Sequence, residues 1–194
     1  MPVLKKTDAT IVALCGSPHA NGNTATALRL LFNKLSGISK KIYFAYELAV
    51  HPCTGCGFCS REFGCIFDDG MNELYETLQH SRILIIASPL YFSHLPSPLK
   101  SIIDRCQVFW EYYNRGNKPL HQQYGCALLI GGGNYSNMFM PSVITLRHFF
   151  NSINYRFDEE KYLLLPDINN KKDIQNDDIT KKIADTASYI KTLV

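Results

Sequence analysis

"ATIVALCGSPHANGNT" (residues 9–24) decides how the rest of the chain reads. Its first half is a short, β-branched apolar run that halts at Gly16, the pattern of a strand buried on both faces. Its second half is loop-like throughout, with Pro18, Asn21, Gly22 and Asn23. Directly after it, "TATALRLLFNKLSG" (24–37) places Ala27, Leu28, Leu31 and Leu35 at helical spacing and stops at Gly37. Strand, loop and helix in that order form the opening unit of a parallel sheet.

The unit recurs along the chain. "KKIYFAYEL" (40–48), "RILIIASP" (82–89), "YGCALLIGGG" (124–133) and "EKYLLL" (160–165) read as further strands. Helices are expected over "GMNELYETLQH" (70–80), "SPLKSIIDRCQVFW" (97–110), "MPSVITLRHFFNSI" (140–153) and from Asp177 to Val194. The strands are continuous apolar runs, not alternating ones, so both faces of the sheet are covered by helices. With right-handed crossovers, five such units predict an α/β, flavodoxin-like, doubly wound parallel sheet of order 2-1-3-4-5 in three α/β/α layers. No repeat, low-complexity tract or linker interrupts the pattern, so residues 1–194 are expected to form one domain.

Composition narrows the function. An apolar content of 46% with 19% charged residues is that of an ordinary soluble protein. No apolar run reaches the ~20 residues that span a bilayer, so no membrane partner is expected. The formal charge is +3, with no basic stripe interleaved with aromatics, so no nucleic-acid partner is expected either. "MPVLKKTDATIVALCGSP" has a short apolar stretch, contains Asp8 and runs into a turn. It reads as the approach to the first strand, not as a secretory leader, and so implies the cytoplasm, where thiols stay reduced.

In an open parallel sheet, ligands bind beyond the carboxyl ends of the strands where their order reverses. Here that means the loops after strands one, three and four. The first, "GSPHANGNT" (16–24), sets Ser17, Asn23 and Thr24 beside a helix start, an anion site. It has neither the lysine of a triphosphate-binding loop nor the dinucleotide fingerprint, so a lone monophosphate fits it. The second, "SPLYFSHLPSP" (88–98), stands Tyr91 and Phe92 just past Pro89 and Leu90, which suits a flat ring. The third, "GGGNYSN" (131–137), lets backbone approach a ligand closely at Gly132 and Gly133. One phosphate and one planar ring on such a sheet indicate FMN. His94, beside the ring loop, is expected on the surface.

Together "GSPHANGNT", "CTGCGFC…C…DDGM", "SPLYFSHLPSPLKSIIDR" and "GGG" resemble the flavodoxin-like NAD(P)H-dependent FMN reductases, specifically their iron–sulfur flavoprotein branch. The resemblance runs over roughly residues 9 to 150. It implies that Ser17, Asn23 and Thr24 hold the FMN phosphate. Pro89, Leu90, Tyr91 and Phe92 would frame the isoalloxazine, with Gly132 and Gly133 on its other side. It also implies a homodimer or homotetramer with FMN sites at subunit interfaces, to which Trp110, Tyr112 and Tyr113 are candidate contributors. The family often has arginine where this chain has His19, whose imidazole meets a phosphate well only once protonated.

Seven cysteines need an account. Cys15, Cys106 and Cys126 lie singly in apolar or helical stretches and are expected to be buried, inert thiols. The other four crowd into "CTGCGFCSREFGC" (53–65) as C-x2-C-x2-C-x5-C. A 4Fe–4S cluster, free or redox-active thiols, and zinc are all open on spacing alone, although structural zinc sites usually pair two C-x2-C knuckles across a longer span. The resemblance implies the cluster, on Cys53, Cys56, Cys59 and Cys65. In "FDDGM" (67–71), Asp68 or Asp69 is expected to cap the following helix. The chain thus reads as an FMN oxidoreductase carrying electrons from NAD(P)H or ferredoxin to a small acceptor such as a quinone. A flavodoxin-like electron carrier and a cluster-free NAD(P)H:FMN/quinone reductase are the alternatives.

Overall fold

Residues 10–194 are described by a computed structural model; Ala9, where the first expected strand begins, and residues 1–8 lie outside the described residues. Strand β1 (Ile11–Cys15) pairs in parallel with β2 (Lys40–Phe44) on one side and β3 (Ile83–Pro89) on the other. β4 (Gln123–Ile130) pairs in parallel with β3, and the sheet runs 2-1-3-4-5 as the strand pattern predicts.

Side chains alternate between two cores. Val12, Leu14, Leu84, Ile86, Ala127 and Leu129 face one; Ile11, Ala13, Ile83, Ile85, Cys126 and Leu128 face the other. Four helices cover the first core: α2 (Met71–His80), α3 (Ser97–Arg105), α4 (Gln107–Asn114) and α5 (Met140–Ser152). The second is covered by α1 (Asn23–Lys34), the short α6 (Lys171–Ile174) and α7 (Asp177–Lys191). In the central strands β1 and β3, residues Ile11–Cys15 and Ile83–Ala87 are apolar on both faces, because water reaches neither.

The structure departs from the sequence reading in several places, the unexpected short α6 among them. The fifth position is filled by two short strands, β5 (Tyr155–Phe157) beside the start of β4 and β6 (Leu163–Leu165) beside its end. Between them Glu159–Lys161 form a 3₁₀ turn, with Asp158 accepting from the Glu160 N–H and Arg147 forked onto the Glu159 carboxylate. Charged residues 158–161 cannot lie in a buried strand, so the chain turns out to solvent there, and the strand expected from residue 160 begins at 163. The helix expected over 97–110 breaks at Cys106, whose N–H is shared between the Ile102 and Ile103 carbonyls. The break keeps Leu99 and Ile102 of α3 and Val108 and Phe109 of α4 all in one core. Finally, β2 ends at Phe44; a turn follows, closed by the Glu47 N–H on the Phe44 carbonyl.

Gly125 sets how closely α5 approaches the sheet. A β-carbon there would lie 2.5 Å from Cδ1 of Phe150, itself fully buried. Gly125→Ala is therefore expected to destabilise the fold by about 1–3 kcal/mol through overpacking. Urea denaturation should show a lower midpoint with an unchanged slope.

Candidate functional site

β3 and β4 end together, Pro89 opposite Ile130, and β1 ends two residues short of them, with Cys15 opposite Ala87 and Ala87 opposite Leu128. The loops that follow therefore leave from one edge of the sheet. In the first loop Ser17 and Thr24 are buried, and Ser17 Oγ accepts from the His19 N–H at 3.2 Å. His19 enters this turn through its backbone, and its side chain is exposed. Asn23 is the first residue of α1, after Gly22 at the cap. No side chain caps this helix and its first turn holds no acid. α3, α4 and α5 share this uncapped, acid-free start, whereas a capping box of Asn170 and Asp173 closes α6, and Asn176 caps α7, followed by Asp177 and Asp178. The free N–H groups and positive dipole end of α1 are thus available to an anion.

The second loop is a tight turn closed by Tyr91 and His94, which exchange backbone hydrogen bonds of 2.9 and 3.0 Å. Its central residues, Phe92 at φ 51° and Ser93 at φ 64°, both lie in the left-handed region. A primed hairpin turn needs that conformation and normally takes it from Asn-Gly. A phenylalanine held there is strained, and strain of this kind collects at functional sites. Neighbouring loops hold it: Ser93 Oγ and Tyr135 OH are 2.7 Å apart, and Ser142 Oγ donates to the Ser93 carbonyl at 2.9 Å. Pro89 closes β3, Leu90 N–H bonds the Ile130 carbonyl, Tyr91 is half-exposed, and Phe92 is wholly in solvent. Tyr46, from the turn after β2, lies near this loop; burial, then the Tyr91 phenol, raise its pKa. The third loop is braced from behind, with Asn169 Nδ2 on the Gly132 carbonyl at 3.1 Å and the Asp167 N–H on the Gly133 carbonyl at 3.0 Å. His94 is exposed, as expected.

Residues 53–65 pack over the core that carries α2 to α5. Cys53, Cys56, Cys59 and Cys65 all line one cavity of about 450 Å³, together with Arg105 and Glu111. Gly55, Gly57 and Gly64 take positive φ values of 67°, 73° and 138°, turns that other residues rarely make. Among the described residues, no three histidine, cysteine or acidic side chains are grouped so as to hold a metal ion.

Arg105 was not singled out by the sequence pattern. Its side chain is 1% exposed and bonds Asp69 through both nitrogens of the fork, at 2.8 and 3.1 Å. Nη1 also reaches the His51 carbonyl at 2.8 Å. Asp69 additionally accepts from the N–H groups of His51 and Met71. It thus does bond the start of α2, as expected, but its larger tie is to Arg105. Burial alone would raise the Asp69 pKa; the guanidinium and the two N–H groups outweigh it and hold the carboxyl below its ordinary range. The stabilisation is therefore complete above about pH 4 and is lost as pH falls through the depressed value. The signal in the sequence is Arg105 itself, three residues after Ile102 and four before Phe109 on a buried helical stripe, where an arginine needs an acid.

Tyr112 and Tyr113 pack in their own chain, Tyr112 against Phe63 and Tyr113 against Phe109, whereas Trp110 is left 41% exposed. Trp110 and the similarly exposed Ile144 line one groove between α4 and α5.

The NADPH-dependent FMN reductase family matches residues 9–156. The chain belongs to that family. Among curated relatives, an iron-sulfur flavoprotein of Methanosarcina thermophila is 32% identical over 124 residues, 63% of this chain and 63% of the relative. Another, from Archaeoglobus fulgidus, is 30% identical over 125 residues, 63% of this chain and 54% of the relative. The matched part therefore spans less than two thirds of either relative. Among solved structures, an NAD(P)H:quinone oxidoreductase from Methanothermobacter marburgensis superposes with a TM-score of 0.73 over 93% of this chain and 94% of that one, at 15% identity. An FMN-dependent NADH-azoreductase from Bacillus anthracis, solved with FMN, gives 0.66 over 95% and 99%, at 15% identity. At such identities the superpositions establish the flavodoxin-like fold.

The thiols of this family member divide into two sets. Burial pushes the pKa values of Cys106 and Cys126 up to about 12 and raises that of Cys15, all three being buried. At pH 8 a thiol of pKa about 12 is thiolate in roughly one molecule in ten thousand. Cys53 and Cys56 are exposed, while Cys59 is half-buried, with burial and then Glu111 raising its pKa. Brief treatment of the metal-free, reduced chain with iodoacetamide at pH 8 should alkylate Cys53 and Cys56 first. Mass spectrometry should find Cys15, Cys106 and Cys126 unmodified until the chain is denatured.

Proposed function

We propose that the chain is an FMN-dependent oxidoreductase taking electrons from NAD(P)H and delivering them to a small acceptor such as a quinone. The observation that carries this is the uncapped, acid-free start of α1 on the same sheet edge as the strained turn bearing Tyr91 and Phe92. Such an edge matches a ligand with one phosphate and one flat ring. Ser17, Asn23 and Thr24, with the free N–H groups of α1, would hold the phosphate. His19 stands exposed at the mouth of the loop, where its protonated form would add charge. Pro89, Leu90, Tyr91 and Phe92 would frame the ring on one side, with Gly132 and Gly133 on the other. Bound FMN supplies hydride acceptance and single-electron release; the chain supplies binding, orientation and electrostatics.

The cysteine pocket is assigned to a 4Fe–4S cluster on Cys53, Cys56, Cys59 and Cys65. Four thiolates on zinc must converge to about 2.3 Å from one point. Here the four line the walls of a cavity of about 450 Å³, an arrangement suited to a polyatomic occupant. The iron-sulfur naming of the curated relatives supports the same choice. Ferredoxin is an alternative donor on this reading, since a cluster exchanges single electrons. The groove holding Trp110 and Ile144 is the surface assigned to pairing with a second copy. A cytoplasmic setting with reduced thiols belongs to the same proposal. No described helix is long and apolar enough to cross a membrane.

A non-enzymatic electron carrier is the competing reading, and turnover separates the two. Anaerobic oxidation of NADH and of NADPH by the FMN-loaded chain, with a quinone as acceptor, should proceed over many cycles. A carrier would reduce once and stop. Ser17→Ala and Thr24→Val should each weaken FMN binding by about 10-fold or more, the worth of one hydrogen bond to a charged group. They should weaken riboflavin binding little, because riboflavin has no phosphate.

A further inference from the structure

We propose that Arg105 is the positioning residue of the cysteine pocket, closing residues 51–69 into a preset loop and presenting a spare N–H donor to an anionic occupant. The loop leaves the fold at His51 and returns at Asp69. Both stems meet on one guanidinium, since Arg105 Nη1 donates to the His51 carbonyl and to Asp69 Oδ2, each at 2.8 Å. The Asp69 carboxylate also takes the His51 N–H at 2.9 Å, so the two stems are joined directly as well. Phe67 lies against the guanidinium, 5.2 Å from its centre, and stacks on the His51 ring at 4.0 Å. The middle of the loop is fixed from the end of α4, where Arg115 Nη1 donates to the Cys59 carbonyl at 2.6 Å. α3 and α4 thus grip the segment at its ends and at its centre.

A second observation points at an occupant. Arg105 lines the cavity that the four cysteines line, and its Nε is buried with no hydrogen-bond partner. Buried donors are seldom left unpaired, and an unpaired one marks a ligand or strain. Asp104 and Glu111 also line this cavity, so negative charge from protein is already present on its wall. A set of thiolates joining those acids needs a cation and donors nearby, and Arg105 is the buried group of that kind. Groups that hold metal ligands in place typically contribute 10–100-fold to metal affinity.

The identity of the occupant rests on the cluster reading above; the closed loop does not. The test therefore has two readouts on the full-length, iron-free, reduced chain. One is amide hydrogen exchange over residues 51–69, with β4 as internal reference. The other is titration with cobalt(II), followed by its thiolate charge-transfer absorption. In Asp69→Asn and Arg105→Lys, loop exchange should rise about tenfold or more while β4 is unchanged, and cobalt affinity should fall about 10–100-fold. Lysine keeps the charge but has neither the fork nor Nε, so it should fail to rescue. Arg115→Gln, at an exposed residue, should loosen Phe58 to Ser60 without touching the sheet. Unchanged loop exchange in all three variants would overturn the proposal. If the wild-type chain shows no thiolate band with cobalt, the metal reading and the spare-donor role both fail. Loop exchange then decides the closed loop alone.

Discussion

The sheet is buried on both faces, and that constraint governs everything else in the molecule. Once helices cover both sides, only the strand ends are free to meet a ligand. The parallel arrangement then places all carboxyl ends on one edge. Cys15, Ala87 and Leu128 lie in register, so three loops from distant parts of the chain start side by side. Apart from Leu90 and Leu95 of the second, these loops add little to the core, and each is free to be chemically unusual. One leaves a helix uncapped; another holds phenylalanine in a left-handed turn; the third carries successive glycines.

The cysteine segment solves a different problem. Residues 51 to 69 form no strand; Phe63 anchors them by packing on Tyr75, Phe109 and Tyr112, while Ile66 is left 52% exposed. A buried ion pair adds a second hold at the two ends of the segment. Removing one partner from such a pair typically costs about 3–5 kcal/mol, because the other charge is left buried and uncompensated. Arg105 is also continuous with the core through Ile102 and Phe109, so the loop inherits the rigidity of α3. The loop edge of the sheet and the cysteine pocket thus rest on different physics, one on backbone geometry and the other on electrostatics.

Much of this was legible in the sequence, and the parts that were not have common causes. Continuous apolar runs such as "RILIIASP" gave strands because burial on both faces leaves no polar alternation to misread. The rim loops were legible because Gly, Pro, Asn and aromatics stood together just past those runs. "YRF" at 155–157 was invisible, since three residues carry no period. The break at Cys106 was hidden because both half-helices continue one apolar stripe. The residues of the first rim loop could be named from local order, but the Asp69–Arg105 pair spans 36 residues. Only the fold brings it together, and the cap reading of Asp69 explained that residue well enough to conceal its partner.

The claim that this edge closes round a flat, singly phosphorylated ring has a direct measurement. The chain is purified anaerobically and denatured, and the released flavin is identified by chromatography, with iron, sulfide and zinc counted in the same sample. About one FMN per chain is expected, accompanied by about four irons and as many sulfides if the cysteine pocket is occupied as proposed. A chain that carries no flavin and takes up none when FMN is added would contradict the oxidoreductase assignment, whatever metal it held.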